Sequence, residues 1–331
     1  MARKRTSSTK RQREHARREK KERKAQRKAE RLAGEDAPTD GESGEENPED
    51  PDNPDYLVRM ARCLVHQERF AAACRTLAKG LDIQPLHGEG LRLLVEIGCG
   101  ANKTDDVRKH LEDLAENHSL SPEPFLNLST LHEREGRLDE AARVLARGLK
   151  GSPGHPLLLN SLGIINYKKS RYQASVHCYG RALTKIHSLG NGSGPVYKHI
   201  RMNLANALCM AGRAGDALHL YERLLDEYPV DETIVINMAI TLRHANRLKE
   251  ARYTLENLMR LGRGGAQLFY WLGVICAEDN SAQQAEHYLR RALSLDGEDP
   301  SLKLNLASVL KRLGRPDEAL AFIEDALFLN S

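Results

Sequence analysis

The sequence predicts an all-α fold, a solenoid of about eight stacked helical hairpins. Three observations predict it. The first is an internal period. Ala205, Ala239, Gly273 and Ala307 stand 34 residues apart, as do Ala217, Ala251, Ala285 and Ala319, and Leu224, Leu258, Ala292 and Ala326. The first half repeats the period in another phase: Ala61, Val95, Ser129 and Gly163; Ala73, Val107, Ala141 and Ser175; Gly80, Leu114, Gly148 and Ala182. A fixed period of this length marks a stack of supersecondary units. The second is composition. Aromatics make up only 5% of the chain against 40% hydrophobic residues, so the core is built from Leu, Ala and Ile, as interlocking helices are. The third is the recurrence of small side chains, which let two helices cross closely where a bulky one would push the axes apart.

Along the chain, residues 1–33 come first as a basic arm. Residues 1–31 carry 15 Lys/Arg against 4 Glu, a net of +11, with almost no apolar face. The arm is expected to be disordered or a lone charged helix. Residues 34–53 read as a solvated acidic linker; Gly34 to Asp55 hold 10 Asp/Glu and no Lys or Arg. Four units then fill residues 54–189, starting near Pro54, Gly88, Pro122 and Pro156. Eight inserted residues break the phase, and Gly190 with Gly192-Ser193-Gly194-Pro195 makes 190–197 read as a loop. Four more units occupy 198–331, starting near Lys198, Glu232, Ala266 and Pro300. Within a unit, apolar residues fall at helical spacing, as in Leu204, Leu208, Leu218, Tyr221 and Leu224. Polar turns separate the two helices at Gly136-Arg137, Gly212-Arg213, Asn246-Arg247 and Gly314-Arg315. Gly or Asn there suits the left-handed conformation that ends a helix.

This pattern resembles the tetratricopeptide repeat. The seventh unit carries it in Phe269, Leu272, Gly273, Ala285, Leu289 and Ala292, and the eighth in Leu306, Ala307, Ala319, Ile323 and Ala326. The resemblance covers residues 54–331. The second unit departs most, with Val95 and Val107 where small residues belong, so it is expected to pack loosely. The family implies a right-handed superhelix whose first helices line a concave groove, and an activity of recognition without catalysis.

The resemblance also points to groove residues. The sixth position of units three to eight reads Asn127, Ser161, Asn203, Asn237, Trp271 and Asn305. Asn is a poor helix former, because its amide competes with the backbone. A row of amides can donate to and accept from an extended peptide without reading its side chains. It is similar to the Asn ladders in the repeat regions of O-GlcNAc transferases and kinesin light chains. Asn206 adds a further amide. Arg134, Lys168, Arg243, Lys311 and Arg312 supply charge for acidic peptide side chains or a carboxylate terminus. The Lys/Arg/Asn clamp of chaperone-tail-binding members is not matched. Trp271, the only tryptophan, stands beside Tyr270 as an anchor or as a filler between repeats.

No catalytic, cofactor or metal site is expected. His132-Glu133-Arg134-Glu135-Gly136 lacks the second His of a zinc helix, and there is no nucleophile elbow or phosphate-binding loop. Six scattered cysteines read as small core or groove residues in a reducing compartment. The leading function is a non-enzymatic scaffold or adaptor that binds a peptide or partner helix. The alternative is an RNA-, ribosome- or DNA-associated factor acting through Arg11, Arg13, Arg17, Arg18, Lys20, Lys21, Arg23 and Lys24, which would neutralise phosphates without base stacking. The adjacent acidic linker would weaken such binding. No membrane span or secretory signal is expected. The protein is expected to be cytoplasmic, with the nucleus open for a eukaryotic chain. Phe322 and Phe328, with Leu320, Leu327 and Leu329, leave the last unit with more apolar surface than its own hairpin can cover, so that end is expected to pair with a second copy, in self-association, or with another protein.

Overall fold

Among the described residues, every second helix touches the next one of its own kind, and the helices between them do not. The computed structural model describes residues 53–100, 104–190 and 192–328. The expectations for the basic arm, and for the linker as far as Asp52, lie outside them. The described residues form sixteen helices and no strand. In pairs they are α1 (Pro54–His66) and α2 (Phe70–Ile83); α3 (Gly88–Gly100) and α4 (Thr104–Asn117); α5 (Pro122–Arg134) and α6 (Leu138–Gly151); α7 (Pro156–Lys168) and α8 (Tyr172–Ser188); α9 (Pro195–Met210) and α10 (Ala214–Glu227); α11 (Glu232–His244) and α12 (Leu248–Arg260); α13 (Ala266–Glu278) and α14 (Ala282–Leu295); and α15 (Pro300–Arg312) and α16 (Pro316–Phe328).

Each helix packs on its hairpin partner and on the next hairpin. The first helices of successive hairpins also meet, whereas successive second helices do not. The stack therefore curls, with α1, α3 and the other odd helices on the inside. Proline at the first helical turn, where its missing N–H costs nothing, opens α1, α5, α7, α9 and α15.

Seven of the eight hairpin turns lie within the described residues, and they share one geometry. Glu68, Gly136, Ser170, Gly212, Asn246, Asn280 and Gly314 all have φ between 56° and 78°. The residue after each donates its N–H five residues back, as Arg137 does to the His132 carbonyl at 2.8 Å. Glu68 and Ser170 take this conformation although nothing in their chemistry favours it. Arg213, Arg247 and Arg315, each just after the turn, pair with Asp216, Glu250 and Glu318 in the first turn of the next helix.

Small residues sit where the helices of a hairpin cross. A methyl group on Gly163 would lie 2.5 Å from the Tyr179 ring, and one on Gly273 would lie 2.6 Å from Leu289. Gly148 makes the same room for Phe125. In the second hairpin Val95 and Val107 hold α3 and α4 apart, and the two touch less than the helices of any other hairpin. A cleft of about 410 Å³ opens beside them, lined by Cys74, Leu81, Leu94, Ile97 and Val107. Of the expected loop over 190–197, Gly190 and residues 192–194 lie outside both helices, whereas Pro195 to Tyr197 form the first turn of α9.

Candidate peptide-binding groove

The inner surface is set by helical geometry. On each odd helix the face turned from its partner carries the second, fifth, sixth, ninth, twelfth and thirteenth residues of the unit. Because adjacent odd helices touch, these residues line a trough that crosses the hairpins.

The sixth-position residues do not all stand equally open. Asn127 is buried, and its Nδ2 donates to the Glu123 carbonyl of its own helix at 2.9 Å. It is therefore out of reach of a guest. Asn203, Asn237 and Asn305 are half-buried. Asn203 Nδ2 donates to Asn160 Oδ1 on the preceding odd helix at 3.2 Å. Asn305 Nδ2 donates to the Ser301 carbonyl at 2.9 Å and reaches the Tyr270 hydroxyl at 3.3 Å. Both amides thus spend donors on the fold and leave Oδ1 as an acceptor. Asn237 makes no side-chain hydrogen bond, and neither does Ser161, among the described residues. Asn206 is committed differently: its Oδ1 accepts from the buried Tyr221 hydroxyl at 2.5 Å. Burial pushes the Tyr221 phenol far up, so it stays protonated to make that bond.

The cations divide as well. Arg312 donates to the Ala277 carbonyl at 2.6 Å and to Asn280 Oδ1 at 3.0 Å, closing the end of α13. Lys168 pairs with Glu133 at 2.6 Å across adjacent odd helices. Arg243 pairs with Glu278 at 2.7 Å while its guanidinium lies 5.5 Å from the Trp271 ring centre. Its Nε is buried without a partner. Trp271 is half-buried and meets Tyr270 edge-on at 5.1 Å. Arg134 and Lys311 are exposed and form no ion pair among the described residues.

Sequence reasoning missed Asn160 and the Tyr270 hydroxyl, which tie neighbouring repeats together. It also missed the apolar strip of Ile164, Ile240 and Val274 between the amides. All three lie at the ninth position of their units, so the 34-residue register was the signal that could have found them.

Comparison with known proteins fits this geometry. Models of the tetratricopeptide repeat match residues 126–193, 160–232 and 236–300, and a second such model matches 277–330. The chain belongs to the tetratricopeptide repeat family. Solved structures resemble it as well. A tetratricopeptide repeat protein from Parabacteroides merdae aligns with TM-score 0.57 and 16% identity, over 78% of this chain and 98% of that one. The APC/C hetero-tetramer Cut9–Hcn1 aligns with TM-score 0.56 and 15% identity, over 87% of this chain and 54% of that one. At these identities the likeness establishes the fold, a right-handed α-solenoid of eight helix pairs. Among curated proteins, the TPR repeat-containing protein YpiA of Bacillus subtilis is 20% identical over 75% of this chain. Protein O-mannosyl-transferase TMTC3 of Homo sapiens is 23% identical over 66% of it. The chain spans 57% of the first relative and 23% of the second. As a tetratricopeptide repeat protein, the chain is an interaction scaffold in general terms.

Proposed function

We propose that the inner trough of hairpins three to eight holds an extended, acidic segment of a partner protein, and that the chain acts as a non-enzymatic adaptor. One observation carries this reading. The open amides Asn203, Asn237 and Asn305 follow one another along the trough floor, flanked by Arg134 and Lys311, which no acid neutralises. Amide acceptors can take the backbone N–H groups of a strand, and the free cations then select acidic side chains. Trp271, Tyr270, Ile240 and Val274 would supply the apolar contact that holds it. Among the described residues no group of His, Cys, Asp or Glu has metal-binding spacing. No described helix is long and apolar enough to cross a membrane. We place the adaptor in the cytoplasm.

The +11 charge of residues 1–31 favours a second reading, a polyanion contact through Arg11, Arg13, Arg17, Arg18, Lys20, Lys21, Arg23 and Lys24. Selection of displayed random peptides on the full chain separates the two. The groove reading predicts acidic binders that are lost on N203A/N237A/N305A and retained on R11A/R13A/R17A/R18A. Binders that survive the amide substitutions and vanish with the arm substitutions would favour the second reading.

A further inference from the structure

One stretch of the stack contains no acid. From residue 141 to 215 the chain carries 11 Lys/Arg and no Asp or Glu, and the fourth hairpin, α7 with α8, lies wholly within that stretch. Most of these cations take acids from beyond it, as Arg147 does Glu112 at 3.1 Å, Lys168 Glu133 at 2.6 Å and Arg201 Glu227 at 2.7 Å. Arg181 and Lys185 stand exposed one turn apart on α8 and form no ion pair among the described residues.

The repeat register identifies the missing acids. The twenty-fifth residue of a hairpin is Glu in four of the eight: Glu112, Glu222, Glu256 and Glu324. Glu112 neutralises Arg147, the twenty-sixth residue of the next hairpin, and Glu222 faces His219 of its own helix at 3.7 Å. Two residues stand in the same relations to the fourth hairpin. Ala146 precedes Arg181 as Glu112 precedes Arg147, and Gly180 follows His177 as Glu222 follows His219. Neither has a carboxylate. Gly180 also leaves room, since beyond its own helical backbone no atom lies within 4 Å of where its Cβ would be. An open dent of about 480 Å³ results, lined by Gly154, Leu159 and Gly180 and rimmed by His177, Arg181 and Lys185. The Lys185 stem passes 3.9 Å from the Cβ position of Gly154 and so lies along the edge of the dent.

We propose that this dent on α8 is a binding site for a phosphate monoester. The phosphate replaces the missing carboxylates between Arg181 and Lys185, with His177 beside it, and the organic body of the ester lies over Gly180 and Leu159. Two cations on adjacent turns of one helix can each meet a different oxygen of a single dianion, which favours phosphate over a carboxylate. The apolar lining favours an organic monoester over inorganic phosphate. The site uses none of the trough amides and none of the cations in residues 1–31.

Calorimetric titration of the full chain with phenyl phosphate tests this. Phenyl phosphate should bind more tightly than inorganic phosphate or benzoate, and less tightly as salt is added. R181A/K185A should weaken it by about tenfold or more, the loss expected for charge-assisted hydrogen bonds. G180E restores the carboxylate that other hairpins carry, and should abolish binding while helical circular dichroism is unchanged. N203A/N237A/N305A and R11A/R13A/R17A/R18A should leave the affinity as it is. A short phosphotyrosine peptide separates the sources of the ester. If it binds at least as tightly as phenyl phosphate, the ester is carried by a partner protein; if it is excluded while phenyl phosphate binds, the ester is a free organic phosphate. No binding of phenyl phosphate, benzoate held equally well, or an affinity that folded G180E or R181A/K185A retains would each overturn the proposal.

Discussion

Gly163 and Gly180 lie one helix apart and have opposite reasons to be glycine. At Gly163 an added methyl would collide with the buried Tyr179 ring, so Gly163→Ala should destabilise the chain by about 1–3 kcal/mol. At Gly180, inside α8, nothing lies near, so Gly180→Ala should stabilise it by about 0.5–1 kcal/mol through helix propensity. Urea unfolding of the two variants reads both signs. A second residue-scale prediction concerns acid. Burial, then the charge of Arg137, lowers the pKa of His132, and burial lowers that of His155. The unfolded imidazoles take protons below their ordinary 6.5, and the folded ones resist until lower pH. Stability from these two sites is therefore full above pH 6.5 and falls as the pH drops below it. His132→Gln should flatten that acid-side fall in the urea midpoint. At this scale the sequence was partly legible. Gly136, Gly212, Asn246 and Gly314 announced the left-handed turn. Glu68 and Ser170 did not, because there the register of the stack imposes the conformation and the side chain merely tolerates it. Arg201 and Lys303 were equally hidden. They occupy the fourth position, where Phe125 and Phe269 stand in other units, and they are buried only because Glu227 and Asp325 neutralise them at the edge.

Among the elements, the second hairpin is the weak one. Val95 and Val107 occupy the crossing point that Gly163 and Ser175 fill in the fourth hairpin, and the cleft beside them forfeits packing. Amides of α3 and α4 should exchange with deuterium faster than those of α13 and α14, where Gly273 lets the helices close. Equal protection in the two hairpins would show that the cleft costs little. This departure was legible, since a branched side chain in a column of small ones is a steric statement that needs no coordinates. The insertion was legible in part: Gly190, Gly192 and Gly194 fall between the helices, but Pro195 can open a first helical turn, so the last three inserted residues belong to α9.

For the whole molecule, the period alone gave the architecture, because stacking is the one arrangement in which each hairpin can bury its apolar faces. The candidate groove was legible as a set of positions but not as a set of free groups. Asn127 turned out buried, Asn206 bonded to Tyr221, and Arg312 tied to the end of α13, because each repeat recruits polar side chains to hold its neighbour. What remains open is narrower: three amides, two unpaired cations and an aromatic pair. The most direct test uses Trp271, the only tryptophan, as a reporter inside the trough. Its fluorescence should change on titration with poly-L-glutamate and hold steady with poly-L-lysine, and the response should weaken in N203A/N237A/N305A. Binding of polyglutamate to the basic arm would leave the reporter silent. An emission indifferent to polyglutamate, or a response that the three amide substitutions leave intact, would contradict recognition of an acidic strand in the groove.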